Sequence, residues 1–267
     1  MGDPHDEEAF DGRDRAFMRG RWTGALALAG VLVAVLAGCA HTGAADVRPD
    51  ANTAPELVPL ATVAPGVRQD MRYHGRRNFM GRPVAGYEAA RCWLTPAAAQ
   101  ALAAVQRDVE PLGLTLKVFD CYRPQRAVDD FVRWGKDLHD QHTKAEYYPR
   151  VPKQELFRRG YIAESSGHSR ASTVDLTLVV LDGLRARQVL TGPLADGREV
   201  DMGTPFDLFD ERSHTADASL APDVQRNRRW LRALMQRHGW RNLPEEWWHY
   251  TLEPEPYPQR YFDVPVR

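Results

Sequence analysis

Two short polar motifs, far apart in the chain, carry residue types that can do chemistry together. Ser166-Gly167-His168 is followed by Asp175, and Glu246-Trp247-Trp248-His249 lies near the C-terminus. Two imidazoles and one carboxylate suit a catalytic zinc, whose three protein ligands leave one coordination position open. Glu246 remains as a spare carboxylate three residues before His249. A carboxylate beside a metal-activated water can take its proton, which is the chemistry of a metallopeptidase. The set predicts one zinc per chain, held by His168, Asp175 and His249. Each part also has a plainer reading. Asp175 interrupts the apolar run Thr173-Val-Asp-Leu-Thr-Leu178, and a carboxylate there must be paired or bind a metal; an arginine partner would serve too. Glu-Trp-Trp-His also reads as an aromatic core strand with polar edges. The helical zinc motif His-Glu-x-x-His is absent. Arg123, in Cys121-Tyr-Arg-Pro124, can point into a cleft and stabilise a developing oxyanion, or can pair with Asp120.

These side chains need elements to aim them. Thr95-Pro96 opens a predicted helix as N-cap and first residue. Ala98, Ala101, Leu102, Val105 and Val109 follow at helical spacing, and Pro111 and Gly113 close it. Leu114 to Phe119 alternates as a strand. A helix follows Pro124, with Val128, Phe131 and Val132 on one face. Residues 136–164 form a long excursion with scattered aromatics, and a loop of that length is usually functional. Val174 to Leu181 is predicted as a buried strand, Asn227 to His238 as a helix ended by Gly239. The 246–252 stretch favours a strand. In a flat strand Glu246 and His249 face opposite sides, so a bend or bulge is required near Trp247-Trp248. Strands and helices mix without regular alternation, which predicts the α+β class.

The chain has 267 residues, enough for one large domain or two small ones, with 43% hydrophobic and 27% charged residues, ordinary for a soluble core. A formal net charge of -1 gives no reason to expect a nucleic acid or an anionic membrane surface as partner. Thr23 to Ala37 is apolar, preceded by Arg19 and Arg21, and too short to span a bilayer: the layout of a secretory signal. It ends in Leu36-Ala-Gly-Cys39, which resembles a bacterial lipobox with Cys39 as the lipidated residue; an uncleaved signal anchor is the alternative. Residues 1–15 are rich in acids, unlike a signal, whereas Met18-Arg-Gly-Arg-Trp fits, so translation is expected to start at Met18. The expected organisation is a signal peptide over 1–38, a lipidated N-terminus and flexible tether over 39–59, and one domain over 60–267. Ala40 in place of aspartate favours the outer membrane if the cell has one. Cys92 and Cys121 lie in or beside predicted strands; export favours a disulfide over two buried thiols.

Taken together, these residues resemble the D-alanyl-D-alanine dipeptidases, a type known from vancomycin resistance. The likeness runs from about Tyr73 to Val266. Ser166-Gly-His-Ser-Arg-Ala-Ser-Thr-Val-Asp175 is similar to the family pattern Ser-x-His-x-x-Gly-x-Ala-x-Asp, and Asp120-Cys-Tyr-Arg-Pro-Gln-Arg-Ala-Val128 to its arginine motif. Phe206-Asp-Leu-Phe-Asp-Glu-Arg-Ser-His214, Glu246-Trp-Trp-His249 and Asn78-Phe-x-Gly81 also match. The resemblance implies a hedgehog/D,D-peptidase-like fold, a mainly antiparallel sheet flanked by helices. It implies zinc on His168, Asp175 and His249, Glu246 as general base and then acid, and Arg123 as oxyanion stabiliser. Tyr73, Ser166 and Asp207 fall where the family binds the two ends of its dipeptide, Asp207 facing the ammonium group, and Asp120 would buttress Arg123. Ala171 departs from the usual glycine, Thr173 from the usual alanine, and Cys121 from a common glycine.

The implied activity is hydrolysis of small D,D-dipeptides. Attachment to a membrane, periplasm-facing, would be by the N-terminal lipid only. An exported enzyme does not suit a cytoplasmic resistance role; turnover of wall-derived dipeptide fits better. A zinc D,D- or L,D-carboxypeptidase or endopeptidase acting on peptidoglycan stems would need an open groove. A wall-binding lipoprotein with structural zinc would need neither Glu246 nor Arg123.

Overall fold

The computed structural model describes residues 56–267. The expected signal segment, the Met18 start, Cys39 and the tether as far as residue 55 lie outside the described residues. Among the described residues no helix is long and apolar enough to cross a membrane.

The chain enters through β1 (Val58–Pro59), a one-turn helix α1 (Leu60–Val63) and β2 (Arg68–Gln69). After a long loop come β3 (Trp93–Leu94), α2 (Pro96–Val109), β4 (Leu114–Asp120) and α3 (Gln125–Lys136). The short α4 (Lys144–Tyr147) precedes β5 (Thr173–Val180) and α5 (Gly183–Ala186). The chain closes with α6 (Pro222–Arg237), β6 (Trp240–Asn242) and β7 (His249–Leu252). The central sheet has the order β2-β4-β5-β7-β6, parallel only between β2 and β4. Helix α2 packs against β4 and α6 against β6. The α+β expectation, with a mainly antiparallel sheet flanked by helices, holds.

Local signals explain most boundaries. Thr95 caps α2, its side chain accepting from Ala98 N at 3.3 Å, and Gly113 ends the following 3-10 turn at φ 71°, a left-handed conformation that suits glycine. All eight residues of β5 are buried, as its β-branched run predicts.

Four boundaries differ from expectation. Val58 and Pro59, assigned to the tether, pair with Leu94 and Trp93, so the ordered body starts upstream of residue 60. Helix α6 starts at Pro222 rather than Asn227; the stretch before Asn227 buries only Val224, so it shows no apolar period of its own. Only His249–Leu252 of the expected 246–252 strand is strand, since Glu246 to Trp248 turn. The 136–164 excursion is not a bare loop: Tyr147, Tyr148, Val151, Leu156 and Ile162 are buried in the main core.

The register of the sheet aligns polar residues across its strands. Asp120 of β4 lies opposite Asp175 of β5, which lies opposite His249 of β7, so three polar side chains form one row. The β4–β5 ladder shifts between Val118 and Asp120. Such a bulge re-aims side chains at a strand end.

Candidate metal centre and active site

His168 comes from a 3-10 turn, Gly167–Arg170, just ahead of β5. Ser166 caps that turn, its side chain accepting from His168 N at 3.2 Å. Ala171 ends it at φ 61°, which is the physical reason a glycine is at ease there. His168 Nδ1 sits 2.7 Å from Cys121 O. A carbonyl only accepts, so Nδ1 carries the proton and Nε2 presents a lone pair. That nitrogen is 3.2 Å from Asp175 Oδ2 and 3.3 Å from His249 Nδ1. His249 Nδ1 is in turn 3.1 Å from Asp175 Oδ1.

These three donors lie within 4.8 Å of one another. Asp175 Oδ1 is buried yet makes no hydrogen bond of good geometry. Burial alone would raise the Asp175 carboxyl, but His168 and His249 hold it well below the usual range. Burial lowers the His249 imidazole, and Asp175 and Glu246 outweigh it, lifting its pKa to about 9. Two imidazole nitrogens and a carboxylate whose buried Oδ1 lacks a hydrogen bond fit a divalent metal.

Around the cluster the turn at Glu246-Trp247-Trp248 supplies the bend the sequence required. Asn242 Nδ2 donates to Glu246 O and His249 O, and Trp247 N donates to Ser213 O. Glu246 Oε2 thereby comes to 3.4 Å from His249 Nδ1. Arg123 pairs with Asp120 and also lines the cavity. Its Nε and Nη2 bind Asp120 Oδ2 at 2.9 Å, while Nη2 stands 3.8 Å from Asp175 Oδ2 and Nη1 donates to Ser166 Oγ at 3.4 Å. Its guanidinium lies 5.1 and 5.0 Å from the centroids of the Tyr73 and Phe131 rings. Cys92 and Cys121 are disulfide-bonded, with Cα atoms 5.3 Å apart, and this ties the start of the Arg123 loop to the segment before β3.

Tyr73 donates its hydroxyl to Asp207 Oδ2 at 2.9 Å. Burial pushes the Asp207 carboxyl well above the usual range, and the Asp175 charge adds to it; the Tyr73 hydroxyl and Arg123 offset this only in part. A cationic group entering beside it would restore its charge. Asn78, of the Asn-Phe-x-Gly motif, is a loop organiser, donating to Arg72 O, Gly75 O and Arg82 O around Tyr73. Tyr73, Arg123, Ser166, Asp207, Glu246 and His249 all line one cavity of about 300 Å³. Its outer walls come from the end of the excursion, at Tyr161 and Ile162, and from Phe209. The structure therefore brings together every site residue expected from the sequence within the described part of the chain.

Three supporting groups carried no sequence signal strong enough to find. Cys121 orients His168 through its carbonyl. Tyr87 donates to Asp120 Oδ1 at 2.7 Å, behind Arg123. Arg228, buried in α6, donates to carbonyls on both sides of Asp207.

Over residues 53–267 the chain matches the model of a peptidase M15 family described as D-ala-D-ala dipeptidase. It is 44% identical over 201 residues to the D-alanyl-D-alanine dipeptidase of Enterococcus faecalis, covering 75% of this chain and 93% of that one. It is 46% identical over 202 residues to the enzyme of the same name from Streptomyces coelicolor, with 75% and 93% covered. Against that of Escherichia coli it is 32% identical over 197 residues, with 74% and 84% covered.

Proposed function

The chain belongs to the peptidase M15 family of D-Ala-D-Ala dipeptidases, and on that premise we propose that it hydrolyses D-alanyl-D-alanine and similar D,D-dipeptides, with zinc as its metal. The carrying observation is the convergence of His168, Asp175 and His249 on the wall of a small cavity, with Glu246 alongside. Zinc, when held by those three residues, supplies Lewis acidity to the scissile carbonyl and makes water a stronger acid.

The chain's own residues do the rest. Asp207 and Tyr73 bind the substrate ammonium, which gives the buried carboxyl the counter-charge it lacks. Ser166 takes the carboxylate end. Glu246 accepts the proton of the attacking water at a carboxylate oxygen and returns it to the leaving amine. Arg123, kept in place by Asp120, stabilises negative charge as it develops on the carbonyl oxygen. The cavity of about 300 Å³, walled by the 160–163 stretch and Phe209, supports a dipeptide over a peptidoglycan stem. The sequence around Cys39 supports a lipid-anchored, exported enzyme, outer-membrane where there is one, acting in wall-peptide turnover.

The test compares kcat/KM for D-Ala-D-Ala, for L,D- and L,L-dipeptides and for a pentapeptide stem on the zinc-loaded protein. The D,D-dipeptide should lead by about 100-fold or more. A stem peptide cleaved equally well would replace this reading with a carboxypeptidase. Lipid labelling of the protein should vanish in Cys39→Ala; labelling that persists in that variant would refute Cys39 as the lipidated residue.

A further inference from the structure

Arg228 is 1% exposed, on the inner face of α6, and the carboxylates that act on it, Asp217 and Asp201, do so through space rather than by a hydrogen bond. Taking a guanidinium out of water without a directly paired carboxylate is expensive. A methionine or leucine would pack the helix without that penalty, so packing does not account for the residue. Its donors do. Nε donates to Met202 O at 2.7 Å, Nη1 to Arg212 O at 2.8 Å and His214 O at 2.7 Å, and Nη2 to Thr204 Oγ1 at 3.2 Å. Burial draws its pKa down to about 10, which leaves it charged at neutral pH.

The acceptors share one property. Met202 and Thr204 precede Asp207, and Arg212 and His214 follow it, so one guanidinium grips both arms of the segment that presents this carboxylate. Asp207 itself sits at φ 62°, a conformation that needs support from its surroundings. The same group also reaches the Glu246 turn. Thr204 Oγ1 accepts from Trp247 Nε1 at 2.9 Å as well as from Arg228, and Trp247 N donates to Ser213 O at 3.0 Å. The guanidinium carbon lies 5.8 Å from the centroid of the Trp247 ring. Trp247 directly follows Glu246. These contacts do not reach the metal ligands His168, held by the Cys121 carbonyl, and Asp175, held in β5, while the third ligand, His249, follows Trp247 by two residues and its amide donates to Glu246 O at 3.3 Å.

We infer that Arg228 is a positioning residue that fixes the Asp207 segment and the Glu246 turn relative to each other, and thereby sets how strictly the enzyme requires a free substrate ammonium. The inference rests on the dipeptidase reading above, in which Asp207 meets that ammonium. It distinguishes two parts of the site: His168 and Asp175 stand apart from α6, whereas the ammonium clamp and the base hang from it, with His249 joining the two at the end of the Glu246 turn.

The experiment uses the full-length, zinc-loaded enzyme, with bound zinc quantified in each preparation. Arg228→Lys shortens the donor array. Thr204→Val keeps the volume and removes only the shared oxygen. Each is assayed for kcat and KM on D-Ala-D-Ala and on N-acetyl-D-Ala-D-Ala. Wild type should favour the free amine by about 100-fold or more, since the blocked substrate brings Asp207 no cation and loses that contact. Arg228→Lys should keep one zinc per chain, raise KM and lower kcat each by about tenfold, and compress the free-to-acetyl ratio at least tenfold. Thr204→Val should move both quantities in the same direction by less, and the double variant should be no worse than Arg228→Lys, because both cut one tie. A folded, zinc-loaded Arg228→Lys with an unchanged ratio would overturn the inference, as would equal losses on both substrates. If that variant does not fold, an unchanged ratio in Thr204→Val does the same. A wild-type enzyme indifferent to acetylation would refute the ammonium role of Asp207 first, and the inference with it.

Discussion

Glu246 Oε2 reaches to 3.4 Å from His249 Nδ1 while standing outside the three-donor cluster. Glu246→Gln keeps the shape and removes the ability to take a proton. Its kcat should fall by about 10²–10⁴ with bound metal still near one per chain. Metal lost together with activity would make Glu246 a ligand instead. Asp210, remote from the metal, carries a pH prediction. Burial alone would raise its carboxyl, but Arg150, Arg212 and the Arg212 N–H hold it well below the usual range. A carboxyl whose folded pKa is depressed stabilises the fold above its unfolded value of about 4 and loses that contribution as pH falls toward the folded one. Asp210→Asn should therefore cost on the order of 1 kcal/mol at pH 7, kept small because both arginines are half exposed. The deficit should shrink as denaturation is followed from pH 5 down to about 2. A deficit independent of pH would mean that the turn geometry, not the charge, is what the asparagine disturbs.

At the scale of elements, the Cys92–Cys121 bond joins the end of β4 to the chain just before β3, with a sequence separation of 29. Closing a loop of that size restricts the unfolded chain by ~3–4 kcal/mol. Cys92→Ser combined with Cys121→Ser should lose about that much in urea unfolding, and reductant should lower the wild-type midpoint alone. Coincident midpoints with and without reductant would show two thiols in solution. Elements written in local code were legible from the sequence: the Thr95-Pro96 cap, the Gly113 stop and the apolar run of β5. The need for a bend between Glu246 and His249 was legible too, because strand parity forbids both from facing one side. Its form was not, because the bend is held by Asn242 and by Ser213 O, partners from other segments. The first turn of α6 was hidden because it buries only Val224, and one apolar residue makes no period; the roles of Asn227 and Arg228 were hidden because their partners are loop carbonyls distant in sequence. Tyr73, Ser166 and Asp207 carry no spacing signal of their own; only resemblance to a family pointed to them, since what unites them is a cavity wall.

The whole molecule is closed by its C-terminal segment, which runs over several parts that hold the site. Phe262 N donates to Ser169 O at 2.9 Å, next to His168, and Phe262 O accepts from Gln125 N at 2.9 Å, two residues after Arg123. Val264 N donates to the Tyr122 hydroxyl at 2.9 Å, and Val266 O accepts from the Glu88 and Ala89 amides beside Tyr87. The strap thus binds the His168 turn, the Arg123 corner and the Tyr87 loop to one another, although each comes from a different stretch of chain. Phe262 is 7% exposed and packs edge-on against Tyr257, with ring centroids 5.2 Å apart. Val264 is 44% exposed and contributes its backbone alone. Phe262→Ala should destabilise by ~3 kcal/mol, the low end for a buried phenylalanine because the strap lies at the surface. That corresponds to a Tm lower by about 6–12 °C for a domain of this size. Val264→Ala, which keeps the amide donor, should stay within about 0.5 kcal/mol of wild type. The contrast can be read by differential scanning calorimetry at matched metal content, with chelator competition as a second measure. If the strap braces the His168 turn, Phe262→Ala should also give up its metal to the chelator more readily than Val264→Ala. Equal metal retention in both, with the large Tm difference intact, would confine the strap to holding the fold and free the metal site from it.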